Sequence, residues 1–281
     1  SRGVTGNGWD KLAGSVAALV NGEHVPAPSK EAPKSRRNAI CVLPFANMSG
    51  EAEQEYFSDG ISEDITTDLS KVSALDVIAR NTAFTFKGRS LDVCEVARTL
   101  GVSHVLEGSV RKAGSRVRIS AQLIDGETGS HVWAERYDRE LTDIFAIQDE
   151  ISKAIVEALK IRLLPEEKKA IETRGTSSAE AYNLYLMARQ YWITGNHGDP
   201  RREERTERIC RRAVEIDPGY ARAWALMALS QGTLRFGFAR GGDGGLAAAE
   251  RAIEIDPTIA EAYCVLARLS SEAGRDTEAD E

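Results

Sequence analysis

Residues 116–123 alternate without a break: Val117, Ile119, Ala121 and Leu123 stand against Arg116, Arg118, Ser120 and Gln122. A period of two means a strand with one buried and one wet face. Gly114 precedes it and the turn sequence DGETG (residues 125–129) follows, so residues 104–138 are predicted as a three-stranded meander. Upstream, residues 40–45 (ICVLPF) form a continuous apolar run, expected of a strand covered on both faces, with Pro44 near its end. A loop (46–50) leads to a helix on which Phe57, Ile61, Ile65, Leu69 and Val72 recur at helical spacing. Gly60 interrupts that helix, marking either a close packing contact or a helix start at Ser58 or Ser62. A short strand (76–80), a loop (81–90) carrying Phe84 and Phe86, and a helix (91–100) stopped by Gly101 complete the approach to the meander. The meander's last strand puts Trp133 and Tyr137 on one face. Thr142 or Asp143 caps a helix with Ile144, Ile147, Ile151, Ile155, Leu159 and Leu163 in one stripe, ending before Pro165. The order β-α-β-α-β-β-β-α predicts a mixed-sheet α/β domain over residues 38–165.

After a connecting segment (166–178) the period changes. Residues 212–228 (RAVEIDPGYARAWALMA) return as residues 251–267 (RAIEIDPTIAEAYCVLA), and residues 181–188 (AYNLYLMA) are a degenerate earlier copy. Such repetition predicts stacked helix pairs, an all-α tetratricopeptide (TPR)-like solenoid over residues 179–281, incomplete at its C-terminal end. By register Trp224, Met227, Tyr263 and Leu266 are expected in its core, while the polar neighbours Asn183, Arg222 and Gln231 are the candidates for contacting a protein or peptide partner in the concave groove. The glycine-rich residues 241–245 lengthen one turn; both flanks are helical and no lysine follows, so they are not read as a phosphate loop. Residues 1–37 read as a lead-in: a helix bearing Trp9, Leu12, Val16, Leu19 and Val20, which ends an upstream domain, and a linker with Pro26, Pro28 and Pro33 among basic residues.

Composition adds mainly exclusions. A formal charge of −7 argues against broad affinity for nucleic acid or anionic membrane. Arg111, Lys112, Arg116 and Arg118 form one local basic cluster, read as guarding the sheet, and residues 201–212, with six Arg and three Glu, read as a solvated helix face, the alternative being a docking surface for an acidic partner segment. No apolar run reaches membrane-spanning length, no signal-peptide pattern is present, and a cytoplasmic location is the default expectation. Cys41, Cys94, Cys210 and Cys264 form no metal or disulfide pattern and are expected as small buried thiols, within strands and helices, in a reducing compartment. Asp59, Glu63, Asp64 and Asp68 stand at i, i+4 spacings near a helix start, an arrangement open to a divalent metal but read as a solvated face favoured by the helix dipole. His104 and His131 lie on predicted strands that can be neighbours, without a supporting carboxylate or cysteine pattern, and no serine sits in a G-x-S-x-G elbow. No catalytic residue, cofactor-binding residue or metal ligand is assigned, and the oligomeric state is left open.

Several segments together resemble a known family: AICVLPFANMSG (39–50), EYFSDGISEDI (55–65), VIAR (77–80), LGVSHVLEGSVR (100–111) and WAERYD (133–138) closely resemble the TolB amino-terminal-like domain, followed here by tetratricopeptide-like repeats. The resemblance covers roughly residues 38–165, and the repeat match most of 179–281. It implies a non-catalytic regulatory or scaffolding segment of a bacterial signalling protein, binding a partner through its repeats. Proteins of this layout carry an adenylate or guanylate cyclase domain, or a winged-helix DNA-binding domain, upstream. Trp9 and Asp10 before a short helix also suit the end of a TIR-like domain. The alternatives are therefore a segment of a cyclase making cyclic AMP or of a TIR-type enzyme, or an α/β domain that senses a small molecule.

Overall fold

The structure is a computed structural model that describes residues 36–51, 54–89, 92–172, 175–195, 199–240 and 242–272. The expected lead-in helix and nearly all of the linker lie outside the described residues. The described residues all belong to one compact unit. A mixed α/β sheet domain is followed by a helical region.

The sheet runs in the order β3-β1-β4-β5-β6: β1 is Arg36–Val42, β3 Asp76–Val77, β4 Val102–Ala113, β5 Arg116–Asp125 and β6 His131–Glu140. β1 pairs in parallel with β3 and β4, while β4, β5 and β6 form the antiparallel meander. Ile40 and Val42 face a large core with α1 (Glu55–Ser70), while Ala39, Cys41 and Leu43 face a smaller one with α2 (Arg80–Phe84) and α3 (Val93–Leu100). Two covered faces explain the continuous apolar run. β5 is covered on one face, burying Val117, Ile119, Ala121 and Leu123, and it keeps the strict alternation.

Three local details differ from the sequence reading. Residues 46–50, expected as a loop, contribute β2 (Ala46–Asn47), which pairs in parallel with β4. Pro44 has no N–H to give, so the ladder lapses there and resumes two residues later. Residues 80–84, expected as the end of the short strand and the start of the loop, form α2, and its Ala83 fills the smaller core. α4 (Ile144–Ala158) stops short of Leu163: the chain turns at Lys160, whose φ is 56°, and Pro165 opens α5 (Pro165–Glu172) instead of only ending a helix. Glu167 on α5 accepts from the backbone N–H and the hydroxyl of Ser73 and from the N–H of Leu164; these bonds hold its carboxyl below its ordinary range.

The helical region contains α6 (Ala179–Thr194), α7 (Pro200–Ile216), α8 (Ala221–Phe238), α9 (Leu246–Ile255) and α10 (Ala260–Glu272), each packed on the next. The repeated segments fold alike. Asp217 and Asp256 each accept from the N–H two residues on, and the Trp224 indole and the Tyr263 hydroxyl each donate to the carbonyl of the preceding proline, Pro218 and Pro257, at 3.0 Å. That shared contact corrects the expectation for Tyr263. Trp224 is half-buried and packs against the core, but Tyr263 is 45% exposed, because its ring serves the turn and α8 and α9 do not enclose it. Gly245 has a physical reason to be glycine: its φ is 90°, and a Cβ there would stand 2.4 Å from the Ala228 carbonyl oxygen. The glycine-rich turn thus lets α9 lie close on α8. One apolar cluster runs from Ile40 through α1 and α4 to Val265, without a break between sheet and helices.

Candidate interaction site

α1 lies between the sheet and α6, and its polar residues form the joint. At Gly60 an added Cβ would come within 2.6 Å of the Leu186 methyl groups, so the glycine is the close packing contact, and α1 begins at Glu55 rather than at Ser58 or Ser62. One turn on, Asp64 Oδ2 accepts from the Tyr182 hydroxyl (2.5 Å) and from Gln148 Nε2 (3.2 Å), and Oδ1 accepts from Arg222 (3.2 Å). Gln148 Nε2 also donates to the Tyr182 hydroxyl at 2.9 Å. Three elements, α4, α6 and α8, therefore converge on one carboxylate of α1. Burial, reinforced by the Asp64 carboxylate, pushes the Tyr182 hydroxyl far up, so it stays protonated and donates. Glu63 pairs with Arg80 on α2 and with Arg189 on α6. At the far end of the joint, Asn183 Oδ1 accepts from the Tyr56 hydroxyl (3.1 Å) and Lys112 Nζ (2.7 Å), whose ammonium lies over the Phe57 ring. Burial lowers the pKa of Lys112.

The reading of these acids as a solvated face is corrected by this geometry. Asp59, Asp64 and Asp68 are each buried to 6% exposure or less, and Lys87, Arg222 and Lys71 reach them from other parts of the chain or the following turn. Spacing within one helix cannot reveal that a second helical layer covers its polar side. Gly60 was the available signal. No group of three or more His, Cys, Asp or Glu able to hold a metal occurs among the described residues.

Beyond the joint, α6, α8 and α10 share a groove. A cavity of about 90 Å³ there is lined by Tyr185, Arg189, Trp192, Arg222, Leu229 and Glu261, among others. Arg222 lies over the Tyr185 ring, 4.9 Å from its centroid. Of the three residues expected to contact a partner, Arg222 lines this cavity, Asn183 is held in the joint, and Gln231 donates to Glu207 on α7 at 3.0 Å. Sequence reasoning missed Arg189 and Trp192, because the degenerate first repeat is aligned only as far as Ala188.

Among the described residues no helix covers the sheet face away from α1 over β5 and β6. A cleft of about 890 Å³ lies there, with Glu107, Ser109, Ser120 and Gln122 on its floor and Lys87 and Arg89 at its rim. Lys87 is already held by Glu55 and Asp59, and Gln122 donates to Glu107. The basic cluster on the first hairpin is dispersed: Arg111 donates to the Met48 carbonyl, Lys112 turns into the joint, and Arg116 and Arg118 bind Asp138. The expectation of a solvated face for residues 201–212 also needs correction, because Arg202 and Glu203 are buried as a pair. β5 separates His104 from His131 in the sheet. Burial pushes the Cys41 thiol up to about 12 and raises that of Cys210, whereas Cys264 is exposed rather than packed.

No family model matches the chain. It is 53% identical over 191 residues to a protein of Rhizobium meliloti (strain 1021) named "Putative adenylate cyclase 3"; the match covers 68% of this chain and 32% of the relative. The chain thus spans about a third of that relative's length. Among solved structures it is similar to TolB from Acinetobacter baumannii (TM-score 0.33, 16% identity, 46% of this chain and 30% of that one). Similar likenesses are to the PelC dodecamer from Paraburkholderia phytofirmans (0.32, 21%, 47% and 94%) and to lipoprotein GNA1162 from Neisseria meningitidis (0.33, 18%, 45% and 99%). Among the described residues no helix is long and apolar enough to cross a membrane.

Proposed function

We propose that this chain is a non-catalytic regulatory segment of a bacterial signalling protein, in which TPR-type repeats bind a peptide or partner protein and a TolB-like α/β domain holds one end of the groove. The observation that carries the reading is the joint: Glu63 and Asp64 of α1 tie down Arg189 and Arg222, two cations that also line the groove. A partner entering between α6, α8 and α10 therefore meets aromatic and aliphatic surface beside charges already linked to the α/β domain. Occupancy of the groove and the position of α1 are then coupled, and the coupling acts both ways. Asn183, Arg222 and Gln231 are proposed to act at and around this groove, with Arg222 central.

The test compares partner capture by the wild-type chain with capture by Leu229→Asp and Trp192→Ala, both in the groove lining, and with the exposed Arg212→Ala on α7 as control. Loss of the same partners in the first two but not in the control supports the reading. An identical set from all four chains overturns it.

The R. meliloti relative favours a second, compatible reading: the segment serves a protein whose separate catalytic domain makes cyclic AMP. Under it, the chain alone is inert towards ATP and modulates the activity when attached to that domain. Cyclic AMP formed by the isolated chain would remove the non-catalytic reading. A small-molecule-sensing role for the α/β domain would use the 890 Å³ cleft, and a rise in melting temperature with nucleotide and Mg²⁺ would support it.

A further inference from the structure

The two edges of the sheet are treated differently. One edge, β3, is two residues long and offers almost no ladder to a stranger. The other, β6, is 10 residues long, and no described strand pairs with its outer side. Proteins usually guard such an edge with lysine, proline or an inward charge. β6 contains neither lysine nor proline. Its Val132 is 41% exposed, and the residues around it are mostly open to solvent.

What β6 does carry is charge of alternating sign in its second half: Glu135, Arg136, Asp138, Arg139 and Glu140. The identity of its partner follows from how these charges meet. If two copies of the strand pair antiparallel about a two-fold axis normal to the sheet, residues directly opposite lie on the same face, so the axis must pass through a residue. Centring on Glu135, Arg136 or Asp138 sets that residue against its own copy, with like charges in contact. Centring on Tyr137 sets Arg136 opposite Asp138 and Glu135 opposite Arg139, each twice, with no like charges directly opposed. Hydrogen-bonded and non-hydrogen-bonded pairs both accept such an axis, so the backbone is satisfied in this register.

The side chains are available for it. Arg136 is exposed, and none of the hydrogen bonds or ion pairs found among the described residues involves it. Asp138, held by Arg116 and Arg118, keeps a carboxylate that a third cation can approach from the open edge. On the other face Glu135 accepts from the Tyr137 hydroxyl, and Arg139 reaches Glu150 through an exposed contact at 3.2 Å that another carboxylate can replace.

We propose that β6 is a self-association surface: it pairs antiparallel with β6 of a second copy of this chain, centred on Tyr137, extending the sheet across the two copies. The Arg136–Asp138 pairs on the open face and the Glu135–Arg139 pairs on the α4 face select the register. The proposal is independent of the repeat-groove reading, since the groove lies on other elements.

Sedimentation of the full 281-residue chain over a roughly hundredfold concentration range tests it. A monomer–dimer equilibrium is expected, and Arg136→Glu, which sets a second carboxylate opposite Asp138 of the other copy, should raise the dimer dissociation constant about tenfold or more. A second measurement fixes the register. In a background with Cys94 and Cys264 replaced by serine, Arg136→Cys and Asp138→Cys chains mixed one to one should form a disulfide-linked heterodimer on mild oxidation, with little homodimer from either alone, since directly opposite Cβ atoms are about 4.5–5.5 Å apart. A wild-type chain that stays monomeric throughout overturns the proposal, as does a dimer that Arg136→Glu leaves intact and the cysteine pair fails to link.

Discussion

Two ionic clusters in this molecule use the same side-chain chemistry to different ends. Around Asp64 on α1, a carboxylate buried to 6% exposure gathers Tyr182, Gln148 and Arg222 from three other helices. Around Asp138 on β6, a carboxylate at the surface gathers Arg116 and Arg118 from the adjoining strand. The first cluster joins segments 84 to 158 residues apart, the second segments 20 and 22 apart. A buried charge that loses a partner keeps its desolvation cost, whereas an exposed one returns to water. The Asp64 cluster therefore fixes how helices sit on the sheet domain, and the Asp138 cluster decorates an edge.

The sharpest way to break this comparison is Asp64→Ala, which strands the Tyr182 hydroxyl proton, takes one of its two acceptors from the Gln148 amide and frees Arg222. We expect a loss of about 3 kcal/mol in urea denaturation. A loss below about 1 kcal/mol would place the Asp64 cluster in the same class as the surface one. Gly60→Ala comes next. A helical alanine gains about 1 kcal/mol over glycine, but overpacking against Leu186 costs about 1–3, so a net loss of about 1 kcal/mol is expected. In a Leu186→Ala background the same change should become stabilising; an unchanged sign would show that Leu186 is not what the glycine accommodates.

Acid separates the joint from the edge in another way. Burial raises the pKa of Asp59 above its ordinary 3.8, against the lowering effect of Lys87, whereas the Arg116 and Arg118 hydrogen bonds hold Asp138 at about 2. With a raised folded pKa, the native chain binds a proton before the unfolded one does, so as pH falls from neutral Asp59 makes a favourable contribution. Asp138 has the opposite sign: its contribution is present above 3.8 and is lost as pH falls towards about 2. Carboxyl chemical shifts followed by NMR should show Asp59 titrating first and Asp138 last, and the reverse order would contradict both assignments. The smallest effect is expected for Arg118→Ala, which should move the denaturation midpoint by no more than the measurement error while added salt makes the difference smaller still.

Much of the α/β domain was legible because its signals are local. The continuous run at residues 40–45, the alternation at 116–123 and the stripe from Phe57 to Val72 each state which faces are covered, and each stands as read. Gly101 ends α3 in the left-handed conformation, with φ 67°. The repeated aspartate–proline turns likewise fold as a repeat. The joint was far less legible. Asp64 and Glu63 read as solvated because nothing in a four-residue spacing says that Tyr182 and Arg222, more than a hundred residues on, will cover them. Arg222 was found as a candidate and its partner was not.

Local pattern was enough to set most of the elements, their order and the alternation that gives β5 one wet face, since periodicity and turn chemistry act within a few residues. It took the folded chain to cover α1 on its polar side, to turn Lys112 inward while Arg116 turns out, and to make β6 the last of the described strands in the sheet. Those outcomes depend on which distant surfaces meet. Packing and desolvation settle that across the whole chain, and no local pattern records it.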